Sequence, residues 1–282
     1  MSNVNYKRKI VSTEEVAKCP ICNSANQQKL YNDFEGSSLV RCSECELTFQ
    51  NPRHEISYEK EYWGKAIDPD GNERNLVSER DSKIKNLYAD DIKYIEKLNG
   101  GKILDAGCGF GFFLSALSNK WEKYGTELSK YCVDFISDNY PDIRQVKDDI
   151  IENIPFSENF FDVIYSFHVI EHVKNPALHI KSLHKMIKKD GTLVISTPNI
   201  DSYASRRFKG NYRLLGFPHI ILFSPKTLSN ILVDHGFEIK KITFPFFKTD
   251  YFTFGNLFRL INKNKISPPF YGNIMTIYAK KK

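Results

Sequence analysis

The 282-residue sequence lacks any apolar run of the length that crosses a lipid bilayer. No uninterrupted apolar stretch approaches the ~20 residues of a membrane span. The N-terminal segment from Met1 to Lys18 contains no apolar stretch long enough for a secretory signal. These absences predict a protein without a transmembrane segment, and we expect it in the cytoplasm.

A concentrated basic stripe is also missing. The formal net charge is +6, and part of the excess lies in Lys280 to Lys282, which is expected to be a solvated tail. Nucleic-acid binders usually concentrate their positive charge on one face, so the sequence gives no strong nucleic-acid signal. The hydrophobic content of 41% and the charged content of 26% are typical of a soluble globular protein, here long enough for one large domain plus a small one.

The stretch that says most about function runs from Lys102 to Gly111 and reads K-I-L-D-A-G-C-G-F-G. The apolar pair Ile103-Leu104 predicts a buried parallel strand. A glycine turn follows, and an amphipathic run then begins at Phe112. A strand, a glycine turn and a helix start together bring backbone N–H groups close to a ligand, as in nucleotide-binding proteins.

The glycine spacing argues against a dinucleotide. The dinucleotide fingerprint G-x-G-x-x-G would place its third glycine at Phe112, whereas this chain has G-x-G-x-G. Asp105 would repel a pyrophosphate but suits a cation, such as a sulfonium that carries an amino group. Glu127 follows Gly107 by 20 residues, at the end of a second strand-like run. An acidic residue at that separation can accept hydrogen bonds from ribose hydroxyls.

These motifs resemble those of the class I S-adenosylmethionine-dependent methyltransferases. The resemblance extends over roughly residues 80 to 282 and includes Leu104 to Gly111, Thr126-Glu127-Leu128, Asp149-Ile150, Phe161 to Ser166, His168 to Val173 and Lys189 to Ile195. It implies an α/β fold, a doubly wound Rossmann-like sheet of seven strands. It also implies cofactor contacts from Asp105, Gly107, Gly109, Gly111, Glu127, Leu128, Asp149, Ile150 and Ser166. The spacing between Asp149 and Pro155 has one extra residue, which leaves open whether Asp148 or Asp149 contacts the adenine amine.

Four of the six cysteines fall in two pairs, Cys19-Pro-Ile-Cys22 and Cys42-Ser-Glu-Cys45, with nineteen residues between them. This spacing is typical of zinc sites. Four thiolates leave no open coordination position, so the pattern predicts a structural zinc ion. The alternative is four reduced, unliganded thiols in a reducing compartment, where disulfides are rare. Cys108 and Cys132 are expected to serve packing.

The chain also resembles a subgroup of bacterial methyltransferases that have an N-terminal zinc module. This resemblance rests on the cysteine pairs, on Gln50-Asn51-Pro52-Arg53 after the second pair, and on Tyr62. Such proteins are often associated with modification of cell-surface sugars, including nucleotide-linked sugars. We therefore expect a small zinc-ribbon-like module over residues 1–63, a linker over 64–77 and a methyltransferase domain over 78–282.

Two regions fall outside the predicted scaffold. Residues 200–224 are rich in aromatic and basic side chains, and we interpret them as a substrate lid because ligands bind at the carboxyl ends of the strands. Residues 244–269 form an aromatic insert between the last two predicted strands. Three roles are open for this insert: a packing surface, a dimer surface in a homo-oligomer, or a contact with a membrane surface.

Three histidines are candidates for a general base: His168, His172 and His219. A methyl transfer to a hydroxyl needs a positioned group that removes the proton, and imidazole has a suitable pKa. The H-x-x-E-H spacing of His168, Glu171 and His172 also resembles the E-x-x-E-H of some metal-dependent O-methyltransferases. A catalytic divalent metal held by these three residues is therefore an alternative.

The sequence thus predicts an S-adenosylmethionine-dependent methyltransferase acting on a small molecule, with a sugar or a nucleotide-linked sugar of cell-surface polysaccharide synthesis as the leading acceptor. One alternative is an RNA methyltransferase whose zinc module grips the substrate. A second is a catalytically silent S-adenosylmethionine-binding subunit that uses the module to dock a partner.

Overall fold

Residues 10–56, 66–68, 73–75, 77, 78, 86, 88–147, 156–216 and 219–282 are described by the computed structural model. The predicted adenine contacts Asp149 and Ile150 lie outside the described residues, together with Asp148, Tyr62 and most of the 64–77 segment.

The N-terminal part of the chain is built from short antiparallel strands. They are β1 Ile10–Glu14, β2 Gln27–Asn32, β3 Ser38–Cys42, β4 Thr48–Gln50, β5 Arg53–Ile56, β6 Ala66–Ile67 and β7 Glu73–Arg74. Strand β1 pairs with β5, β3 pairs with both β2 and β4, and β6 pairs with β7. Leu39, Leu47 and Phe49 are buried, which gives the β2–β3–β4 sheet an apolar face.

Strands and helices alternate through the rest of the chain. The elements are α1 Ala89–Ile95, β8 Gly101–Ala106, α2 Phe112–Ser115, β9 Trp121–Glu127, α3 Lys130–Asn139, β10 Ile143–Lys147, β11 Phe161–Phe167, α4 Pro176–Met186, β12 Ile187–Pro198, α5 Tyr203–Phe208, β13 Ile221–Leu222, α6 Pro225–Asp234, β14 Phe237–Thr243, α7 Phe254–Arg259 and β15 Ile274–Lys281. Two 3-10 turns lie at Ile170–His172 and Lys209–Asn211.

A seven-stranded sheet organises this region, with the strand order β10-β9-β8-β11-β12-β15-β14. The five strands from β10 to β12 are parallel, whereas β15 is antiparallel to both of its neighbours. The predicted doubly wound, Rossmann-like α/β sheet is confirmed. Its strand order reverses between β8 and β11, so the ligand crevice is expected at the carboxyl ends of these two strands.

The helices begin at residues that suit a helix N-terminus. The Asn175 side chain accepts a hydrogen bond from the N–H of Leu178 at the start of α4, and Ser224 forms a capping box with Thr227 at the start of α6. In the described part of the chain, no helix combines the length and the apolar character that crossing a bilayer requires.

The segment predicted as a substrate lid joins the N-terminal strands to the large sheet. Its strand β13 pairs antiparallel with β4, with Ile221 opposite Phe49. The N–H of Gln50 donates to the carbonyl of Ile220 at 3.0 Å. Phe49 and Ile221 also belong to one buried cluster that includes Leu104 of the large sheet. The two predicted domains therefore share a sheet edge and a core.

A buried carboxylate links α1 to the large sheet. Asp91 accepts hydrogen bonds from the hydroxyls of Tyr165 on β11, at 3.1 Å, and of Tyr278 on β15. Burial raises the pKa of Asp91 to about 6, although both tyrosine hydrogen bonds favour the ionised form. Asp90 and Lys241 are the other charged groups that act on it.

This carboxylate makes stability depend on pH. Its pKa is higher in the folded state than in the unfolded chain, so the folded state binds more protons between about pH 4 and pH 6. The free energy of unfolding therefore falls as pH rises through that window, by on the order of 2–3 kcal/mol. Asp91→Asn should remove this fall. Chemical denaturation at pH 4, 5, 6 and 7 would measure it, with the exposed neighbour Asp90→Asn as the control. Parallel profiles for Asp91→Asn and the wild type would contradict this assignment.

Candidate functional site

The glycine turn after β8 is fixed by hydrogen bonds to the neighbouring strand. The N–H groups of Gly107 and Cys108 both donate to the carbonyl of Thr126, each at 2.9 Å. Gly107, Gly109 and Gly111 all have positive φ angles, which glycine adopts without the strain that a Cβ would cause. The turn thus takes the tight course that the G-x-G-x-G spacing predicted.

Gly107 also allows another segment to approach the turn. A Cβ at Gly107 would lie 2.4 Å from Cγ2 of Val169, well inside van der Waals contact. Val169 belongs to the predicted histidine segment that follows β11. The missing side chain at Gly107 therefore lets this segment pack directly on the glycine turn.

A pocket opens at this contact, and Asp105 borders it. Its other lining residues are mostly aromatic: Tyr88, Gly107, Cys108, Phe110, Phe112, Phe113, Tyr165 and Phe167. Asp105 is buried at the end of β8. A carboxylate among aromatic rings attracts cations, because the ring faces add to the negative potential. The pocket suits the ammonium and sulfonium groups of S-adenosylmethionine.

Glu127 is held beside the turn at the end of β9. Its two carboxylate oxygens accept hydrogen bonds from the N–H groups of Gly109 and Ser129, each at 2.9 Å. Each carboxylate oxygen has a second lone pair that can accept from a ribose hydroxyl. Leu128, the next residue, is exposed and can cover a flat ligand group. The geometry suits the predicted roles of both residues.

Ser166, a predicted cofactor contact, differs in side-chain orientation from its two neighbours on β11. Its neighbours Tyr165 and Phe167 line the pocket, and side chains alternate between the two faces along a strand. Ser166 points to the opposite face and is fully buried. Its hydroxyl therefore lies away from the pocket.

Cys108 serves packing, as expected. Its Sγ atom lies against Gly125 of β9, where an added Cβ would be only 2.7 Å from the sulfur. Burial raises the pKa of this thiol well above its usual range, which keeps it protonated and unreactive.

The histidine segment contains a hydrogen-bonded imidazole and carboxylate. Nδ1 of His168 lies 2.7 Å from Oε1 of Glu171, and the hydroxyl of Thr197 donates to Oε2 at 2.9 Å. Glu171 is fully buried, whereas the His168 side chain is 19% exposed. His168 also has a left-handed backbone with φ of 56°, a costly conformation that is common at functional sites.

The electrostatics favour an ionised Glu171. Burial by itself raises the pKa of this carboxyl. The charge and the hydrogen bond of His168 outweigh burial, with contributions from His172 and His219, and lower the pKa to about 2. An ionised carboxylate that accepts from Nδ1 fixes the ring orientation and leaves Nε2 as the ring nitrogen that can face an acceptor.

The lid segment brings His219 to the same place. Ligand atoms of His168, Glu171 and His219 all lie within 4.8 Å of one another. The alternative metal set considered from the sequence was His168, Glu171 and His172, whereas the structure groups His219 with His168 and Glu171. The rings of His172 and His219 are 5.0 Å apart.

His219 itself is poorly suited to act as a base. Nδ1 of this ring donates to the carbonyl of Leu214 at 2.8 Å. Burial, together with the neighbouring His172, lowers the pKa of His219 to about 3. The ring is therefore neutral at neutral pH and only weakly basic, so of the three candidates His168 has the best geometry for proton removal.

Several residues of the site were not predicted from the sequence. Thr197 supports Glu171, and Tyr88, Tyr165 and Phe167 line the pocket. The polar Ser196-Thr197 pair at the end of the fifth predicted strand was the available signal for Thr197. Tyr165 and Phe167 gave no comparable sign of a pocket, since aromatic residues in strands usually belong to the core.

The four N-terminal cysteines converge as their spacing predicted. Their sulfurs lie within 4.8 Å of one another, with Cys19 to Cys45 at 3.4 Å and Cys22 to Cys42 at 3.5 Å. Each pair sits in a tight turn that ends in a residue with positive φ, Asn23 or Glu46. Four clustered thiols fit a tetrahedral zinc ion without an open position.

Zinc binding is testable at Cys22, which is the exposed member of the cluster. Cys22→Ser should lower the zinc content and destabilise the N-terminal strands, because β3 ends in another of the four cysteines, Cys42. Metal analysis and thermal unfolding would measure both effects. Ser43→Ala keeps all four sulfurs and should retain the metal. Equal zinc content in Cys22→Ser and the wild type would refute the site.

The glycine turn gives a second test. Gly107→Ala combines a φ of +82° with a clash at Val169, so affinity for S-adenosylmethionine should fall about tenfold to a hundredfold. Gly255→Ala is the matched control, since its nearest neighbouring atom is 3.9 Å away. Calorimetric titration with S-adenosylmethionine would compare the two variants, and unchanged affinity in Gly107→Ala would place the cofactor elsewhere.

Comparison with known proteins agrees with this geometry. A ubiquinone biosynthesis O-methyltransferase of Coxiella burnetii is 31% identical over 144 residues, which are 48% of this chain and 58% of that relative. The chain thus matches little more than half the length of this curated relative.

Solved structures share the fold. A methyltransferase of Thermotoga maritima has a TM-score of 0.54 at 21% identity, covering 74% of this chain and 96% of its own. One of Archaeoglobus fulgidus has a TM-score of 0.53 at 22% identity, covering 74% and 100%. The family described as "Methyltransferase domain" matches residues 80–242, more than half of the chain. The chain therefore belongs to the S-adenosylmethionine-dependent methyltransferases.

Proposed function

We propose that the protein transfers a methyl group to a hydroxyl of a small-molecule acceptor, with His168 as the general base. The observation that carries this proposal is the 2.7 Å hydrogen bond between Nδ1 of His168 and the buried carboxylate of Glu171. Such a pair occurs where an imidazole must hold one tautomer and accept a proton at its other nitrogen.

S-adenosylmethionine supplies an electrophilic methyl group when it is bound. Asp105 and the glycine turn hold its cationic end, and Glu127 holds its ribose. The His168 segment packs on the same turn through Val169, and this contact supports a base beside the cofactor pocket. Holding the acceptor in line with the methyl group supplies much of the rate enhancement.

Proton transfer completes the step. With S-adenosylmethionine bound as the methyl donor, the hydroxyl proton of the acceptor would pass to Nε2 of His168. The Glu171 carboxylate stabilises the imidazolium that forms. Because the His168 side chain is 19% exposed, the proton can then leave to solvent.

The acceptor class is proposed to be a sugar or a nucleotide-linked sugar. The paired N-terminal cysteines followed by Asn51-Pro52-Arg53 support it, through their resemblance to bacterial methyltransferases associated with surface sugars. The Coxiella relative named for ubiquinone biosynthesis supports a phenolic hydroxyl as the second candidate. The base and the cofactor half of the site would serve either acceptor.

Labelled methyl transfer would distinguish these acceptors. Purified protein and S-adenosylmethionine with a labelled methyl group would be incubated with host extract separated into nucleotide-sugar, lipid-linked glycan, quinone and RNA fractions. Label in a sugar fraction supports the leading acceptor, and label in the quinone fraction supports the phenol. Label only in RNA would overturn the small-molecule proposal. Retained cofactor binding without any transfer would indicate a silent subunit.

Substitution of the histidines tests the base. His168→Ala should lower kcat by about 10²–10⁴-fold while leaving the affinity for S-adenosylmethionine nearly unchanged, because the cofactor contacts come from other elements. His172→Ala is the matched control and should retain most of the activity. If His168→Ala kept wild-type kcat, the base would have to be another group.

A metal-assisted mechanism makes a different prediction. The grouping of His168, Glu171 and His219 has three nitrogen and oxygen ligands, which fits a divalent ion with open positions. In that case His219→Ala should abolish activity as fully as His168→Ala, and added divalent ions should change kcat. In the base mechanism, His219→Ala retains most of kcat and added ions have little effect.

A further inference from the structure

The aromatic insert lies at the same edge of the large sheet as the ligand crevice. Strand β14 runs in the same direction as β8, β11 and β12, because β15 is antiparallel to both β12 and β14. The chain therefore leaves β14 and returns to β15 at the edge where the cofactor pocket opens. The ion pair between Lys248 and Asp90, at 2.9 Å, ties the insert to the start of α1, close to the pocket residue Tyr88.

Part of the insert is packed, but its helix presents bare apolar side chains. Phe246 is buried against Phe270. By contrast, Phe254 is 82% exposed, Phe258 is 71% exposed and Ile261 is 72% exposed. They occupy positions i, i+4 and i+7 of α7 and of the turn that continues it, and so lie on one face. We call these three residues the apolar ridge.

The chain segment that carries the apolar ridge is cationic. Residues 251–282 contain no Asp or Glu, whereas Arg259, Lys263 and Lys265 follow or interrupt the ridge in sequence. Lys263 and Lys265 are exposed. Projecting aromatic and aliphatic side chains beside cations, without carboxylates, match the interface of a bilayer with anionic lipids.

Hydrogen bonds anchor the chain that carries the apolar ridge to the rest of the protein. The Arg207 guanidinium on α5 donates to the carbonyls of Leu260 at 2.7 Å and Ile261 at 3.0 Å, at the C-terminal end of α7. Asn211 donates to the carbonyl of Lys263 at 3.3 Å. These bonds fix the orientation of the ridge relative to the predicted lid segment, so its exposure does not arise from a fraying terminus.

We propose that the apolar ridge docks the protein on an anionic lipid surface. Three side chains on a six-residue helix and its last turn make a narrow, convex feature, whereas a stable protein interface needs about 800 Å² on each partner. Lipid headgroups need no complementary shape, and a few inserted rings together with nearby lysines suffice for reversible binding.

Docking in this way would turn the ligand edge of the sheet toward the membrane. An acceptor anchored in lipid could then reach the pocket without leaving the bilayer surface. The docking itself does not depend on the chemistry of transfer, so it can be tested without any methyl acceptor.

Vesicle co-sedimentation of the full chain tests the proposal. The probes are vesicles of phosphatidylcholine alone and vesicles that contain about one third phosphatidylglycerol. We expect binding to the anionic vesicles, weakened by added salt. The triple variant Phe254→Ser/Phe258→Ser/Ile261→Ser should lose this binding by about tenfold or more. Lys263→Ser/Lys265→Ser should weaken it about fivefold per lysine.

The matched control is Val233→Ser, which replaces an apolar residue that is 47% exposed on α6 and should leave vesicle binding unchanged. Unchanged affinity for S-adenosylmethionine would show that each variant is folded. Absence of wild-type binding to anionic vesicles would overturn the proposal, as would equal binding by the triple variant. Self-association of the wild type that the triple variant abolishes, without vesicle binding, would assign the ridge to a second copy of the chain.

Discussion

The site depends on one close approach between two backbone segments. The glycine turn after β8 and the histidine segment after β11 come from neighbouring parallel strands, and they meet where Gly107 has no side chain and Val169 fills the space. Predicted cofactor contacts, Gly107 among them, lie on one segment and the proposed base lies on the other. A Cβ at this point would separate them, so the G-x-G-x-G turn shapes the acceptor half of the site as well as the cofactor half.

The N-terminal strands form hydrogen bonds to the chain on both sides of the histidine site. The N–H of Gln50 on β4 donates a hydrogen bond to the carbonyl of Ile220, the residue next to His219. Arg53 on β5 donates to the carbonyl of Lys174, just beyond the histidine segment. The cysteine cluster joins the turn before β2 to the turn after β3, and β3 pairs with β4. A zinc ion bound there would stabilise the position of His219 through backbone pairing, with no need to touch the substrate.

The sequence was sufficient for the features that depend on local pattern. The alternation of strands and helices, the glycine turn, Glu127 at the end of the next strand and the clustering of the cysteines all follow from apolar runs, glycine spacing and C-x-x-C pairs. Features set by tertiary contacts were missed. His219 replaces His172 beside Glu171 because a two-residue strand, β13, pairs with β4. The orientation of the Ser166 side chain could not be predicted, because periodicity alone does not tell which face of a buried strand meets the pocket.

The segment between β12 and α6, predicted as a substrate lid, is hydrogen-bonded to two other parts of the protein. Its strand β13 completes the N-terminal sheet, while Arg207 and Asn211 hold the aromatic insert. Elements so firmly hydrogen-bonded on both sides open at higher free energy than a mobile loop. Access to the pocket is therefore expected to depend on the surface presented by the insert more than on opening of this segment. An apolar, cationic surface at that edge selects what can approach before any contact with the base is made.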